Sequence, residues 1–176
     1  GVEVTYCLVT DGDAGGFDQT IARPDMAAMR RVEQTRAAAE VGVGSLIFLG
    51  HPDGRVVYDL TLRRDLSRVI RQVKPTVVIT QSPERNLERI YASHPDHLAA
   101  GEAAIAAVYP DARNPFAYPE LIDEGLEAWT VPEVWVMGGV NLALLAMMVL
   151  QVAPPQATAR LTALLIGGLA GGVWLA

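Results

Sequence analysis

Cysteine is nearly absent from this chain. Cys7 stands alone among 176 residues, so no intramolecular disulfide framework can form. Its neighbours in GVEVTYCLVT are mostly apolar, and a buried, inert thiol is expected. Basic charge is also short. Fourteen Lys and Arg face 20 Asp and Glu, a net charge of −6 that argues against a nucleic-acid partner. Charged residues are only 19% of the chain against 51% hydrophobic, which excludes a disordered or polar-tract protein. The length suits one domain able to bury a core.

One end of the chain lacks charge almost entirely. Every acidic residue lies at or before Glu133, and beyond it the sole charge is Arg160. Residues 1–137 therefore read as an acidic domain and residues 138–176 as a separate apolar tail. No leader pattern opens the chain. Residues 1–10 enter directly as a strand, so the chain is expected to begin mid-domain.

Strand and helix signals alternate through the first part. Residues 2–10 form a β-branched strand and 11–16 (DGDAGG) a turn-rich loop. A helix is expected over 24–41, with Met26, Met29, Val32 and Ala37 as its apolar stripe. A short strand at 45–49 leads to a loop at 50–55. A second helix spans 60–73, with Leu62, Leu66, Val69, Ile70 and Val73 at helical spacing, and Lys74-Pro75 stops it. TVVIT at 76–80 is a buried strand by its β-branched run. A polar loop at 81–93, an alanine-rich helix at 96–109, a loop at 114–119 and a last strand at 131–137 follow. The alternation predicts an α/β fold with a mostly parallel sheet flanked by helices. The loops at 11–16, 50–55 and 81–97 all follow strands, so they share the rim where such sheets bind ligands.

All three histidines fall in two HPD-containing segments, His51-Pro52-Asp53 and His94-Pro95-Asp96-His97. Imidazole and carboxylate are the usual ligands of zinc or iron in hydrolytic sites, and proline stiffens the backbone between them. An ordinary turn whose Asp caps the next helix accounts for a lone HPD equally; the doubled histidine of HPDH points further toward chemistry. The glycine-rich loop at 11–16 lacks GxGxxG spacing, and its two aspartates would repel phosphate. Its acid content suits a polar loop closing on a sugar.

Taken in order, GVEVTYCLVTDGDAGG, MRRVEQ, FLGHPDGR, KPTVVITQSP and YASHPDHLAAGEAAIAAVYPDARNPFAYPELIDEGLEAWTVPEVW resemble the LmbE-like, PIG-L family of zinc-dependent N-acetylglucosamine deacetylases. The resemblance runs from Gly1 to about Met137. It implies a Rossmann-like fold, a Zn2+ cofactor, a small amino-sugar substrate and a cytoplasmic setting. By the same resemblance His97 is a zinc ligand. His94, as imidazolium, stabilises the developing oxyanion, with Asp96 as its orienting carboxylate. Arg30 and Asp53 contact the sugar. Family members also carry an HPDDE motif after their first strand, which supplies a His and an Asp to the metal and a second Asp as general base. The chain begins at the family's second strand, so it is expected to be N-terminally truncated, to lack two of three zinc ligands and the base, and to bind zinc weakly. HPDG at 51–54 stands where the family has a loop near the sugar, so it is not expected to replace that motif. The same gap leaves a second reading open, a sugar-binding or membrane-tethered remnant without a complete metal site.

The tail departs from the family pattern. Residues 134–153 and 161–176 carry no charge, and runs of about 20 apolar residues are long enough to cross a bilayer. Pro154-Pro155 and Arg160 would form the turn of a membrane hairpin, and the paired glycines suit helix packing in lipid. A buried core helix and a join foreign to the domain are the alternatives.

Overall fold

In a computed structural model of the chain, residues 1–137 and 161–167 are described. The elements are β1 (Val2–Thr10), α1 (Arg23–Glu40), β2 (Ser45–His51), α2 (Leu60–Val73), β3 (Val77–Gln81), α3 (Pro95–Ala106), α4 (Pro119–Asp123), β4 (Glu133–Met137) and β5 (Leu161–Gly167). The strands form a single five-stranded sheet in the order β2-β1-β5-β3-β4, and every pairing is parallel. The α/β parallel-sheet expectation is met. From β1 the chain winds outward through α1 to β2, then crosses back through α2 to β3 and on through α3 to β4. The two winding directions diverge between β1 and β3, with β5 between them, and sheets of this kind bind ligands outside the carboxyl ends of their strands.

One sheet face carries most of the core. Cys7, Val9 and Val78 lie under Leu62, Leu66, Val69 and Ile70 of α2 and under Ala100, Ala103 and Ala104 of α3. The helical stripe expected on α2 is buried as read, with Val73 only partly so. The Asp59 carboxylate caps this helix by accepting the Leu62 N–H at 2.8 Å. Lys74 ends it in the left-handed region (φ 52°), just before Pro75. Burial pushes the Cys7 thiol up to about 12, with Asp65 adding to the shift, so the inert buried thiol is also found. On α3 the alanines permit a close approach to the sheet. At Gly101 a Cβ would stand 2.4 Å from the Gln81 carbonyl oxygen, so only glycine fits where α3 crosses the end of β3.

Three expectations about the helices and strands need correction. On α1 only Met26 and Ala38 are buried, while Met29 and Val32 are exposed; periodicity identifies an apolar stripe, but whether anything covers it is a tertiary matter. The second strand runs on to His51, so that histidine ends a strand instead of lying in a loop. The alanine-rich helix stops at Ala106 and passes into a π-helical turn at Ala107–Asp111. Tyr109 leaves helical geometry there, because Pro110 cannot continue the hydrogen-bond ladder.

The tail brings the largest correction. Residues 161–167, expected to open the second membrane span, form β5, paired with β1 on one side and β3 on the other. Residues 134–137 of the first expected span lie in β4. A short apolar run fits a central parallel strand as well as a helix, and periodicity cannot separate the two. Among the described residues no helix is long and apolar enough to cross a membrane. The rest of the expected hairpin, 138–160 and 168–176, lies outside the described residues.

Candidate active site

Three loops meet at the carboxyl ends of the strands, each tied to the next by a charged side chain on a backbone group. The turn after β2 is built around Gly54, whose φ of 78° suits glycine alone, and it closes with Arg55 N–H on Pro52 C=O at 3.2 Å. Asp96, in the first turn of α3 and 1% exposed, accepts Gly54 N–H at 2.6 Å and Val56 N–H at 3.1 Å. An anion in that position also faces the positive end of the helix. On the other flank Asp13 accepts Asp53 N–H at 2.9 Å. The expected convergence of 11–16, 50–55 and 81–97 on one rim is therefore observed.

The HPDH turn opens α3. His94 is its N-cap, Pro95 occupies the first helical position, and His97 N–H returns to His94 C=O at 3.0 Å. The His94 Nδ1 accepts the Asp96 N–H at 3.3 Å. The tautomer that makes this contact has its lone pair on Nδ1 and its ring proton on Nε2. The resemblance implied an imidazolium oriented by the Asp96 carboxylate. Here it is the Asp96 backbone that meets His94, and both carboxylate oxygens of Asp96 hold the neighbouring loop. The rings of His94 and His97 stand edge to face, 5.6 Å between centroids.

Asp53 is 6% exposed and accepts the Thr10 hydroxyl at 3.4 Å. His51 turns away from this group: its Nε2 lies 3.1 Å from Asp65 Oδ2 on α2. Arg30 donates to Glu33 at 2.7 Å, and its guanidinium lies beside Gly15, where a Cβ would come within 3.6 Å of it. Its neighbour Arg31 donates to Asp11 at 2.7 Å and stacks over Phe48, 4.8 Å from the ring centroid. Sequence reasoning missed Asp13, Arg23 and Arg31. The acidic DGD loop followed by arginines at a helix start was the available signal, but it names no partners.

A catalytic zinc takes three protein donors. His94 and His97 supply two imidazoles at most, and both oxygens of Asp96 are engaged. Among the described residues no group of three His, Cys, Asp or Glu could hold a metal. The described donors do not make a zinc site by themselves.

Residues 1–108 match the family model for GlcNAc-PI de-N-acetylase, PIG-L. The chain belongs to this family. Among its relatives is the diacetylchitobiose deacetylase of Thermococcus kodakarensis, 33% identical over 108 residues, 61% of this chain and 39% of that one. A probable N-acetyl-alpha-D-glucosaminyl L-malate deacetylase 2 from Bacillus anthracis is 31% identical over 124 residues, 66% of this chain and 52% of the relative. This member of the family thus spans between about two fifths and about half of these relatives' lengths. The structure of N,N'-diacetylchitobiose deacetylase from Pyrococcus horikoshii superimposes with a TM-score of 0.66 at 24% identity, over 88% of this chain and 60% of that one. That likeness supports the fold.

Proposed function

We propose that this chain carries the substrate-polarising half of an N-deacetylase acting on an N-acetylglucosamine-type sugar. The observation that carries the reading is the HPDH turn: His94 Nδ1 meets the Asp96 amide, and Asp96 in turn holds the loop bearing Asp53. When an amide is attacked, its carbonyl oxygen gathers negative charge. A fixed N–H aimed at that oxygen stabilises the transition state more than the ground state. His94 serves as such a donor through Nε2, its ring oriented by the Asp96 amide on Nδ1. Asp53 and Arg30 take sugar hydroxyls, the acid as acceptor and the guanidinium as donor. Acetate and a free amino sugar are the products. Zn2+ is the cofactor that family membership suggests, with His97 as its one assigned ligand. The described residues fall short of its donor set, and the activation of water is assigned to none of them.

The test is acetate release from N-acetylglucosamine-type substrates by the full-length gene product. His94→Ala should lower kcat and kcat/KM together, by about a hundredfold to a thousandfold, the usual cost of one lost oxyanion donor. Unchanged turnover in His94→Ala would sink the assignment. A second reading is a sugar-binding unit without catalysis. Metal analysis of the purified chain addresses it: tightly held stoichiometric zinc would overturn that reading and return His51 and Asp53 to consideration as ligands.

A further inference from the structure

Asp13, in the DGDAGG loop, and Arg23 carry no role in the chemistry above, yet they are placed unusually. Asp13 lies in the loop after β1, and Arg23 opens α1. They form an ion pair, Arg23 Nε to Asp13 Oδ2 at 2.7 Å. The pair closes on one residue of a different loop from both sides. Asp13 Oδ1 accepts Asp53 N–H at 2.9 Å, and Arg23 Nη2 donates to Asp53 C=O at 3.2 Å. Holding the N–H and the C=O of one residue restrains both of its backbone torsions, which leaves its side chain mainly a choice of rotamer. That side chain is itself nearly buried against the Thr10 hydroxyl. Beyond Asp53, Gly54 and Val56 hang from Asp96, next to His94 and His97. The segment 53–56 is thus suspended between two carboxylates, one on the β1 side and one on the histidine side.

We infer that the Asp13–Arg23 pair is a positioning device that sets Asp53 relative to His94. The inference rests on the reading of this rim as an amino-sugar site with Asp53 as a sugar contact. It is separable from a general stabilising role by exposure. The Arg23 side chain is 46% exposed, and ion pairs of that kind contribute little to global stability. The pair's effect should therefore fall on the geometry of Asp53 and hardly on the melting temperature.

Two measurements on the isotope-labelled chain test this: backbone amide exchange at Asp53, and a titration with N-acetylglucosamine followed through amide shifts. In Asp13→Ala the Asp53 amide should exchange about tenfold faster or more, because its acceptor is gone. Affinity for N-acetylglucosamine should fall about tenfold. Asp13→Asn keeps an oxygen for that N–H but loses the ion pair with Arg23, and its affinity should fall between those of the native chain and Asp13→Ala. In an Asp53→Ala background, Asp13→Ala should change affinity by less than about twofold, since the residue it positions is absent. Losses that add in the double variant would overturn the inference. So would unchanged Asp53 exchange in Asp13→Ala, a folded Asp13→Asn that binds no better than Asp13→Ala, or an Asp13→Ala chain that no longer folds. If the native chain itself binds no N-acetylglucosamine, the amino-sugar reading fails and the positioning of a sugar contact fails with it; the exchange result then decides only whether the pair holds the loop.

Discussion

Two irregular segments of this molecule are held in opposite ways. At the rim, carboxylates hold backbone N–H groups: Asp13 takes Asp53, and Asp96 takes Gly54 and Val56. At the corner between α2 and α4, a guanidinium holds backbone carbonyls. Arg71, fully buried, donates to the C=O groups of Ala112, Asp111, Asn114 and Ala117. Around it Arg63 grips Asp111 with two hydrogen bonds, and Arg68 pairs with Glu124. Both arrangements satisfy loop backbone that has no secondary-structure partner. They differ in what is left over. At the corner the charged heads are spent on their own scaffold, and burial lowers the Arg71 guanidinium from its ordinary range. At the rim the acids occupy the scaffold amides, while the His94 ring meets the Asp96 amide and the Arg30 guanidinium lies beside the glycine-rich loop. A segment can thus be ordered by one charge in either sense.

The contrast can be broken first at its strongest point. Arg71→Met should cost about 3 kcal/mol, because the Ala117 C=O loses its donor, the Ala112, Asp111 and Asn114 C=O groups each lose one of two, and a fully buried side chain is replaced. Chemical denaturation should show a much lower midpoint, and Arg71→Lys should not rescue it, since an ammonium cannot span that set of carbonyls. A loss under about 1 kcal/mol would mean the corner holds itself without its cation. Asp96→Ala comes next, at about 2 kcal/mol, from two charge-assisted bonds and two amides left without acceptors. Its signature is local, with faster amide exchange at Gly54 and Val56 ahead of global unfolding. Asp59→Ala provides a scale outside both regions. Loss of the α2 cap should cost about 1 kcal/mol, and a larger loss than that of Asp96→Ala would reverse the ranking.

The smallest expected effect is a pH dependence. The Arg23 hydrogen bond holds the Asp13 carboxyl below its ordinary value of 3.8. A depressed carboxyl adds stability above its unfolded value, and that contribution fades as the pH falls through the folded one. The native chain should therefore lose stability relative to Asp13→Asn only below about pH 3.8. Denaturation midpoints for the two chains at acid and neutral pH check this; parallel curves throughout would show that the ion pair does not couple to folding.

Much of this could be read in advance, for particular reasons. The stripe on α2 was legible because five apolar residues recur at helical spacing ahead of Lys74-Pro75. The strand at β3 was legible from its β-branched run. The HPDH turn was legible because histidine is scarce here and all of it sits in two HPD-containing segments. Partners were not legible. Arg30 and Arg31 are adjacent and chemically alike, and only the roll of α1 against the sheet decides that Arg31 meets Asp11 and Phe48 while Arg30 lies beside Gly15. The two HPD triplets likewise look alike, yet His51 faces Asp65 and His94 caps a helix.

By itself the sequence determined the class of fold, the limits of most elements and the family, all of which depend on residues near one another in the chain or on composition. Tertiary structure alone decided that residues 161–167 lie as a strand between β1 and β3, that Asp96 holds a loop about forty residues away, and that Asp13 and Arg23 close on Asp53. The physical reason is range. Periodicity and capping act within a few residues, whereas these contacts arise where a parallel sheet brings successive strand ends onto one rim.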